Sequence, residues 1–342
     1  MPPNLFLWLS EQRRVFDFVK SNGFASKLAS RFVAGETIDS AIEAAKVLNQ
    51  DGTMVSLDLL GESVSSREET AGARDEVLQI LDAISETEID GNVSVKLTQL
   101  GLDIDRDLCI ENMSQILTRA KELDIFVRID MESTEYTERT LDIFEELHDK
   151  FGNLVGIVIQ SYLRRSASDI EMLVERGARV RLCKGAYAEP PELAFQDMKD
   201  VRSSFVALMK QLVDDGTYPG IATHDDEMVD ATLSHVEENS IPFERFEFQM
   251  LYGVRRDLQQ KLRSKGYNVR VYIPFGSNWY PYLMRRMAER SSNVGFMVKS
   301  IMRETFASKC RAMKRWVGMY PPTNAPQRFW GRMAFPIPQR CT

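Results

Sequence analysis

Four polar residues stand at or near the C-terminal ends of otherwise apolar runs: Lys96 in Val93-Ser94-Val95-Lys96-Leu97, Asp130 after Arg128-Ile129, Gln160 after Ile157-Val158-Ile159, and Arg181 in Arg179-Val180-Arg181-Leu182-Cys183. Two cations and an acid on one rim would suit an anionic small molecule, because guanidinium and ammonium groups match carboxylate or phosphate oxygens. Lys184-Gly185-Ala186-Tyr187 follows the Arg181 run directly. Its glycine either admits a ligand close to the backbone or serves a plain left-handed turn. In Thr223-His224-Asp225-Asp226 a histidine stands beside acids, a set that could bind metal. The other two histidines, His148 and His235, read as residues on solvated helix faces, and there is no HxH or HExxH, so no metal site is expected. Arg285-Arg286 follow the aromatics Trp279, Tyr280 and Tyr282. Neighbouring helical side chains diverge by about 100°, so the pair meets on one carboxylate only if its helix crosses a site's mouth; otherwise it is a surface pair.

These residues need a scaffold, and the hydrophobic pattern supplies one. Short β-rich runs at 54–59, 92–97, 125–130, 155–160, 179–183, 220–224, 245–249 and 269–273 alternate with amphipathic helical stretches near 68–87, 105–123, 135–150, 168–176, 192–215, 225–239, 255–264 and 279–290. Eight strands, each followed by a helix, predict an α/β (β/α)8 TIM-like barrel. An open doubly wound sheet is the alternative, but no glycine-rich GxGxxG turn or P-loop is present. Side chains alternate across a strand. The aliphatic sets (Val93, Val95 and Leu97, for example) must face the helices. The polar sets then face inward, placing Asp58, Lys96, Arg128, Asp130, Arg181 and Glu247 in the lumen. Buried charges are costly unless paired, and acids and bases are both present.

Composition narrows the function classes. Of 342 residues, 43 are Lys or Arg and 50 are Asp or Glu, giving −7 with no basic block, a poor match to nucleic acid or anionic lipid. Cys109, Cys183, Cys310 and Cys341 form no CxxC pair and read as reduced thiols. No apolar run approaches the roughly 20 residues of a spanning helix. A cytoplasmic protein is expected, with peripheral contact at the inner face of the membrane left open. The expected organisation is an N-terminal helical arm (1–50), in which Thr37 opens a helix with Ile42, Ala45 and Leu48 on one face, a catalytic barrel (51–310) and a C-terminal tail (311–342).

Seven segments occur in order: Val95-Lys96-Leu97, Arg128-Ile129-Asp130-Met131-Glu132, Arg181 through Tyr187, Thr223-His224-Asp225, Phe246 through Gly253, Arg270 through Gly276, and Tyr282 through Glu289. Together they resemble the proline dehydrogenase family, in its monofunctional bacterial form, which is related to the proline dehydrogenase domain of bifunctional proline utilization proteins. The resemblance implies a distorted barrel that binds FAD without a Rossmann motif. It implies oxidation of L-proline to 1-pyrroline-5-carboxylate by hydride transfer to flavin N5, with electrons passed to a membrane quinone and pyrroline-5-carboxylate dehydrogenase as downstream partner. By residue, it assigns Lys96, Arg285 and Arg286 to the proline carboxylate, Tyr272 and Tyr282 to the proline ring, and Asp130 to an active-site acid. Met131, Gln160, Arg181, Lys184, Gly185, Ala186, Thr223, His224 and Glu289 match cofactor-contact positions, Arg181 being also counted as catalytic. Some relatives carry an aromatic residue where Ala188 stands here, which alters the expected packing around the flavin.

Two other readings compete. Lys96 or Lys184 at a strand end could form a Schiff base in an aldolase or lyase. A non-catalytic binding barrel is the third reading, although unliganded lumen charges would be costly.

Overall fold

The β-rich runs form strands because each carries aliphatic residues on one face that can be buried under the surrounding helices. In the computed structural model, which describes residues 31–61, 64–279 and 282, the strands are β1 (Met54–Leu59), β2 (Gly91–Val95), β3 (Val127–Ile129), β4 (Val155–Gln160), β5 (Arg179–Cys183), β6 (Gly220–Ala222), β7 (Glu247–Leu251) and β8 (Val269–Phe275). The helices are α1 (Ile38–Gln50), α2 (Arg67–Thr87), α3 (Arg106–Leu123), α4 (Thr134–Phe151), α5 (Ser166–Glu175), α6 (Met198–Asp215), α7 (Asp226–Glu238) and α8 (Arg256–Ser264). Every strand pairs in parallel with the next, and β8 pairs with β1, closing the barrel. The expected helix at 279–290 lies outside the described residues apart from Trp279 and Tyr282, as do expectations for residues 1–30 and the tail.

Boundaries depart from the sequence expectation for physical reasons. The ladder of β7 begins at Glu247 because Pro242 leads into a single 3-10 turn at Phe243–Arg245. The expected helix at 192–215 starts at Met198: residues 193–195 pair instead with the loop after β4, the Arg164 N–H donating to the Leu193 carbonyl at 2.9 Å and the Phe195 N–H to the Tyr162 carbonyl at 2.8 Å, and Asp197 caps the helix by accepting from the Lys199 N–H at 2.7 Å. Strands β2 and β3 stop at Val95 and Ile129, leaving Lys96 and Asp130 just past the ladder. Asp130 remains tethered, its N–H donating to the Val95 carbonyl at 2.9 Å.

Helix α1 begins at a capping box formed by Thr37 and Ser40. It packs on the outside of the barrel against β1 and β8, where Ala41, Ile42 and Ala45 join the same core as Val55, Leu57, Val271 and Ile273. The preceding segment is stitched to the end of β8: Ala34 N–H donates to the Pro274 carbonyl at 2.9 Å, and Gly276 N–H to Gly35 at 3.0 Å. A helix that precedes the first strand thus fills the outer position between the last strand and the first.

The lumen holds the polar sets, joined by ion pairs and by hydrogen bonds to backbone carbonyls. In its lower half, Arg270 Nε donates to Glu247 Oε1 at 2.8 Å and its terminal nitrogen to the Val55 carbonyl at 2.8 Å. Arg128, among the most deeply buried side chains, donates to the Ile157 carbonyl at 3.0 Å and to the Arg179 carbonyl. It shares the Phe126 ring with Arg179, the two guanidinium carbons lying 4.6 and 4.0 Å from the ring centre. Burial, then the Arg181 and Arg179 charges, pushes Arg128 well below the ordinary arginine range. Space for it comes from β4: a Cβ on Gly156 would lie 2.5 Å from the Arg179 carbonyl oxygen and 2.7 Å from the Arg128 guanidinium. No helix among the described residues is long and apolar enough to cross a membrane.

Two outcomes are expected. Gly156→Ala must displace backbone or a buried cation, and should lower unfolding stability by about 1–3 kcal/mol, read as a shifted denaturant midpoint at unchanged slope. For Glu247, burial raises the carboxyl, but the Arg270 charge and the hydrogen bonds from Arg270 and Gln249 more than reverse this and hold it below the ordinary glutamate range. A carboxyl lowered on folding contributes stability above its unfolded value and loses it as pH falls through the folded value. The stability difference between wild type and Glu247→Gln should therefore shrink as pH falls through that window; a constant difference would contradict it.

Candidate active site

The C-terminal ends of the strands carry the site, as in barrels generally. On one side, Lys96 Nζ lies 2.7 Å from Asp58 Oδ1 and 4.0 Å from Asp130 Oδ2. Asp130 in turn accepts from Arg181 at 2.8 Å on one oxygen and from the Tyr272 hydroxyl at 2.7 Å on the other. Arg181 reaches Ser94 Oγ at 3.1 Å and donates through Nε to the Gln249 amide oxygen. Its guanidinium also lies over the Tyr272 ring, 5.2 Å from the centre. Six strands therefore contribute to one cluster, with β1 bringing Asp58, β2 and the residue after it Ser94 and Lys96, β3 through the residue after it Asp130, β5 Arg181, β7 Gln249 and β8 Tyr272.

The electrostatics follow from burial and like charge. Burial raises the Asp58 carboxyl and the neighbouring Asp130 charge adds to this, while Lys96 pulls it down; the net direction is up. Desolvation, then the Asp130 and Asp58 charges, pushes the Tyr272 phenol well above its ordinary value. The phenol therefore keeps its proton and donates it to Asp130. Asp58 Oδ2 and Gln160 Oε1 are buried acceptors with no hydrogen-bond partner among the described residues.

The opposite rim is built from β4, β5 and β6. The Gln160 amide nitrogen donates to the carbonyls of Met131 at 3.3 Å and Glu132 at 2.8 Å, tying β4 to the loop that follows Asp130. Glu132 itself accepts from the Thr98 hydroxyl at 2.7 Å. Lys184 Nζ and Arg202 Nε both hold Asp225 Oδ2, at 3.2 and 3.1 Å. Burial acts to raise Asp225, but these two cations outweigh it and hold the carboxyl below its usual range. Gly185 has φ +102°, and a Cβ there would sit 2.1 Å from the Tyr162 ring, so the turn and the ring both require glycine. Thr223 spends its hydroxyl locally, accepting from the Asp225 N–H at 3.1 Å. His224 accepts the Leu251 N–H at Nε2 at 2.9 Å, which puts its ring proton on Nδ1 if neutral.

The structure brings Lys96, Asp130, Arg181 and Tyr272 into direct contact and sets Met131, Gln160, Lys184, Gly185, Ala186, Thr223 and His224 around the same mouth. Tyr282 is buried, with its N–H directed to the Asn278 carbonyl at 3.4 Å. Arg285, Arg286 and Glu289 lie outside the described residues. Of the histidines read as solvated, His235 is instead buried, with Nε2 2.7 Å from Asp214 Oδ1. Asp58, Ser94, Gln249 and Arg202 were not picked out as site residues from the sequence. The first three sit at inward positions of their strands, so the alternation held the signal; Arg202, on α6, left none.

Comparison with known proteins agrees with this geometry. The family model described as proline dehydrogenase matches residues 41–299. Proline dehydrogenase 1 of Bacillus subtilis (strain 168) is 40% identical over 302 residues, covering 88% of this chain and 99% of that protein. Proline dehydrogenase of Deinococcus radiodurans is 41% identical over 280 residues, covering 81% and 90%. Among solved structures, proline utilization A (PutA) from Bdellovibrio bacteriovorus superposes with a TM-score of 0.74 at 25% identity, over 90% of this chain and 40% of that longer one. With its closed parallel barrel, its paired rim charges and these relatives, the chain belongs to the proline dehydrogenase family.

Proposed function

We propose that this chain oxidises L-proline to 1-pyrroline-5-carboxylate at the mouth of its barrel, with FAD as the bound acceptor. The observation that carries the reading is the Lys96–Asp130–Arg181–Tyr272 cluster, a preorganised polar group of both signs at the strand ends. Lys96, Arg285 and Arg286 would grip the carboxylate, a role that needs the run after β8 to close over the mouth. Tyr272 and Tyr282 would flank the ring. Asp130 accepts from Arg181 on one oxygen and from Tyr272 on the other, and so orients these two groups.

The residues present suit a flavin. The Gln160 oxygen, without a hydrogen-bond partner among the described residues, is a buried acceptor fit for a ring N–H, and Lys184 and Arg202, paired with Asp225 and Glu227, carry further N–H donors suited to a pyrophosphate. Gln160, Arg181, Lys184, Gly185, Ala186, Thr223 and His224 would hold the group, with Met131 and Glu289 beside them. When bound, FAD supplies the two-electron acceptor that no side chain can replace. The ring carbon next to nitrogen gives up hydrogen with its electron pair, the nitrogen gives up a proton, and a C=N bond forms. Cations around the substrate favour the uncharged amine this requires. A fixed near-attack geometry can supply up to about 7–11 kcal/mol of the barrier. Electrons then pass to a membrane quinone, reached by peripheral contact, and the product goes to a pyrroline-5-carboxylate dehydrogenase. A Schiff-base reading has no observation in its favour: Lys96 and Lys184 are each hydrogen-bonded to a carboxylate.

The purified protein should show the visible flavin band and lose it on adding L-proline; a colourless protein indifferent to proline would end the proposal. Arg285→Met or Arg286→Met should raise KM for proline steeply with FAD still bound. Arg181→Met should instead weaken FAD retention or shift the flavin potential, and flavin loss at unchanged KM in the 285 and 286 variants would contradict the division of roles.

A further inference from the structure

One buried side chain next to the site is not used by the proposed chemistry. Gln249 accepts from Arg181 Nε at its amide oxygen, and its amide nitrogen donates to Glu247 Oε1 at 2.5 Å. Only one orientation of this amide satisfies both neighbours. Arg181 is a donor without acceptors, and Glu247 is a carboxylate kept as an acceptor by Arg270 at 2.8 Å. A reversed amide would set NH2 against guanidinium and carbonyl against carboxylate. Arg181 also donates to Asp130 at 2.8 Å and to Ser94 at 3.1 Å, whose hydroxyl lies 3.1 Å from that of Ser56. The neighbouring strand makes space for this amide: a Cβ on Gly220 would come within 2.5 Å of Gln249 Nε2. Gly220 is not in the left-handed region, so its lack of a side chain serves space rather than backbone conformation.

We propose that Gln249 is a positioning residue for proline oxidation: braced by Glu247 and Arg270 and given room by Gly220, it fixes the Arg181 guanidinium and thereby sets how strongly that cation acts on the cofactor. The inference rests on the flavin-side role of Arg181 proposed above. Arg270, Glu247, Gln249, Arg181 and Asp130 then form one continuous line of hydrogen bonds from the lower lumen to the mouth. An arginine on a long flexible stem is held at Nε by the only group in that line that meets both a donor and a carboxylate.

The test compares holoenzymes of wild type, Gln249→Met, Gln249→Glu, Gly220→Ala and, as reference, Arg181→Met. Three readouts are taken: flavin content, midpoint potential without proline, and the rate of flavin reduction by proline across pH. Gln249→Met should slow reduction roughly tenfold or more at every pH, the scale of one hydrogen bond to a charged group, and move the potential in the direction of Arg181→Met. Gly220→Ala should move both in the same direction by less. Gln249→Glu sets two carboxyls within hydrogen-bond distance, where they cannot both ionise readily and must share a proton. At low pH the introduced carboxyl donates to Glu247 and accepts from Arg181 as the amide does, so potential and rate should match wild type. As pH rises the shared proton leaves, and both should fall through a titration step that wild type lacks. Because that step is read within one protein, poor folding of Gln249→Met does not blunt the test. If Arg181→Met shifts the potential while Gln249→Glu shows no added step and Gly220→Ala matches wild type, the brace is wrong and the role of Arg181 stands. If Arg181→Met leaves flavin content and potential unchanged, the reading of Arg181 itself falls.

Discussion

Charge enclosed in a narrow barrel has to be neutralised where it lies, and that requirement organises this molecule. Unpaired charges in the lumen would cost several kcal/mol each. The interior is accordingly a continuous set of ion pairs and charge-assisted hydrogen bonds rather than an aliphatic plug. Asp130 is the junction of the upper part, joined to Arg181 and Tyr272 with Lys96 close by, and Glu247 is the junction of the lower part. Since Asp130, Arg181, Gln249 and Glu247 each meet a partner from another strand, their positions are set by the closed ring of strands more than by their own loops. That is the rigidity a reactive site needs, since small displacements of positioning groups are costly to rate.

The two sides of the mouth solve different problems. Near Asp58 and Lys96 the groups are buried, close and of both signs, suited to a small polar substrate. Near Lys184, Arg202 and Asp225 the cations are more exposed, and the carboxylate that holds them is also the cap of α7, accepting from the Glu227 N–H at 3.2 Å. Helix start and cation placement are thus coupled through one side chain.

Much of this was legible in the chain. The period-2 alternation identified the inward residues even where a strand's limits were misjudged. Phe246 and Phe248 face outward and Glu247 and Gln249 inward whether β7 begins at 245 or 247. What alternation cannot provide is partnership. That Asp58 meets Lys96, or that Gln249 meets Arg181 from two strands away, depends on strand order, stagger and closure, which are properties of the assembled barrel. The late start of α6 had its cap in Asp197, but what draws residues 193–195 out of the helix is their pairing with the loop after β4, a contact between distant segments that no local pattern shows. Gly156 and Gly220 carried no sequence cue either, because the guanidinium and amide that require their small size come from other strands.

The placement of α1 carries a consequence for how the molecule is made. Its apolar face rests across the seam between β1 and β8, which emerge from the ribosome more than two hundred residues apart. Until the final strand is synthesised, Ala41, Ile42 and Ala45 lack half of their covering, and the ring has two open edges prone to wrong pairing. The ring can therefore be completed only once β8 has been made, and a nascent chain halted before residue 269 lacks the strand that pairs with β1.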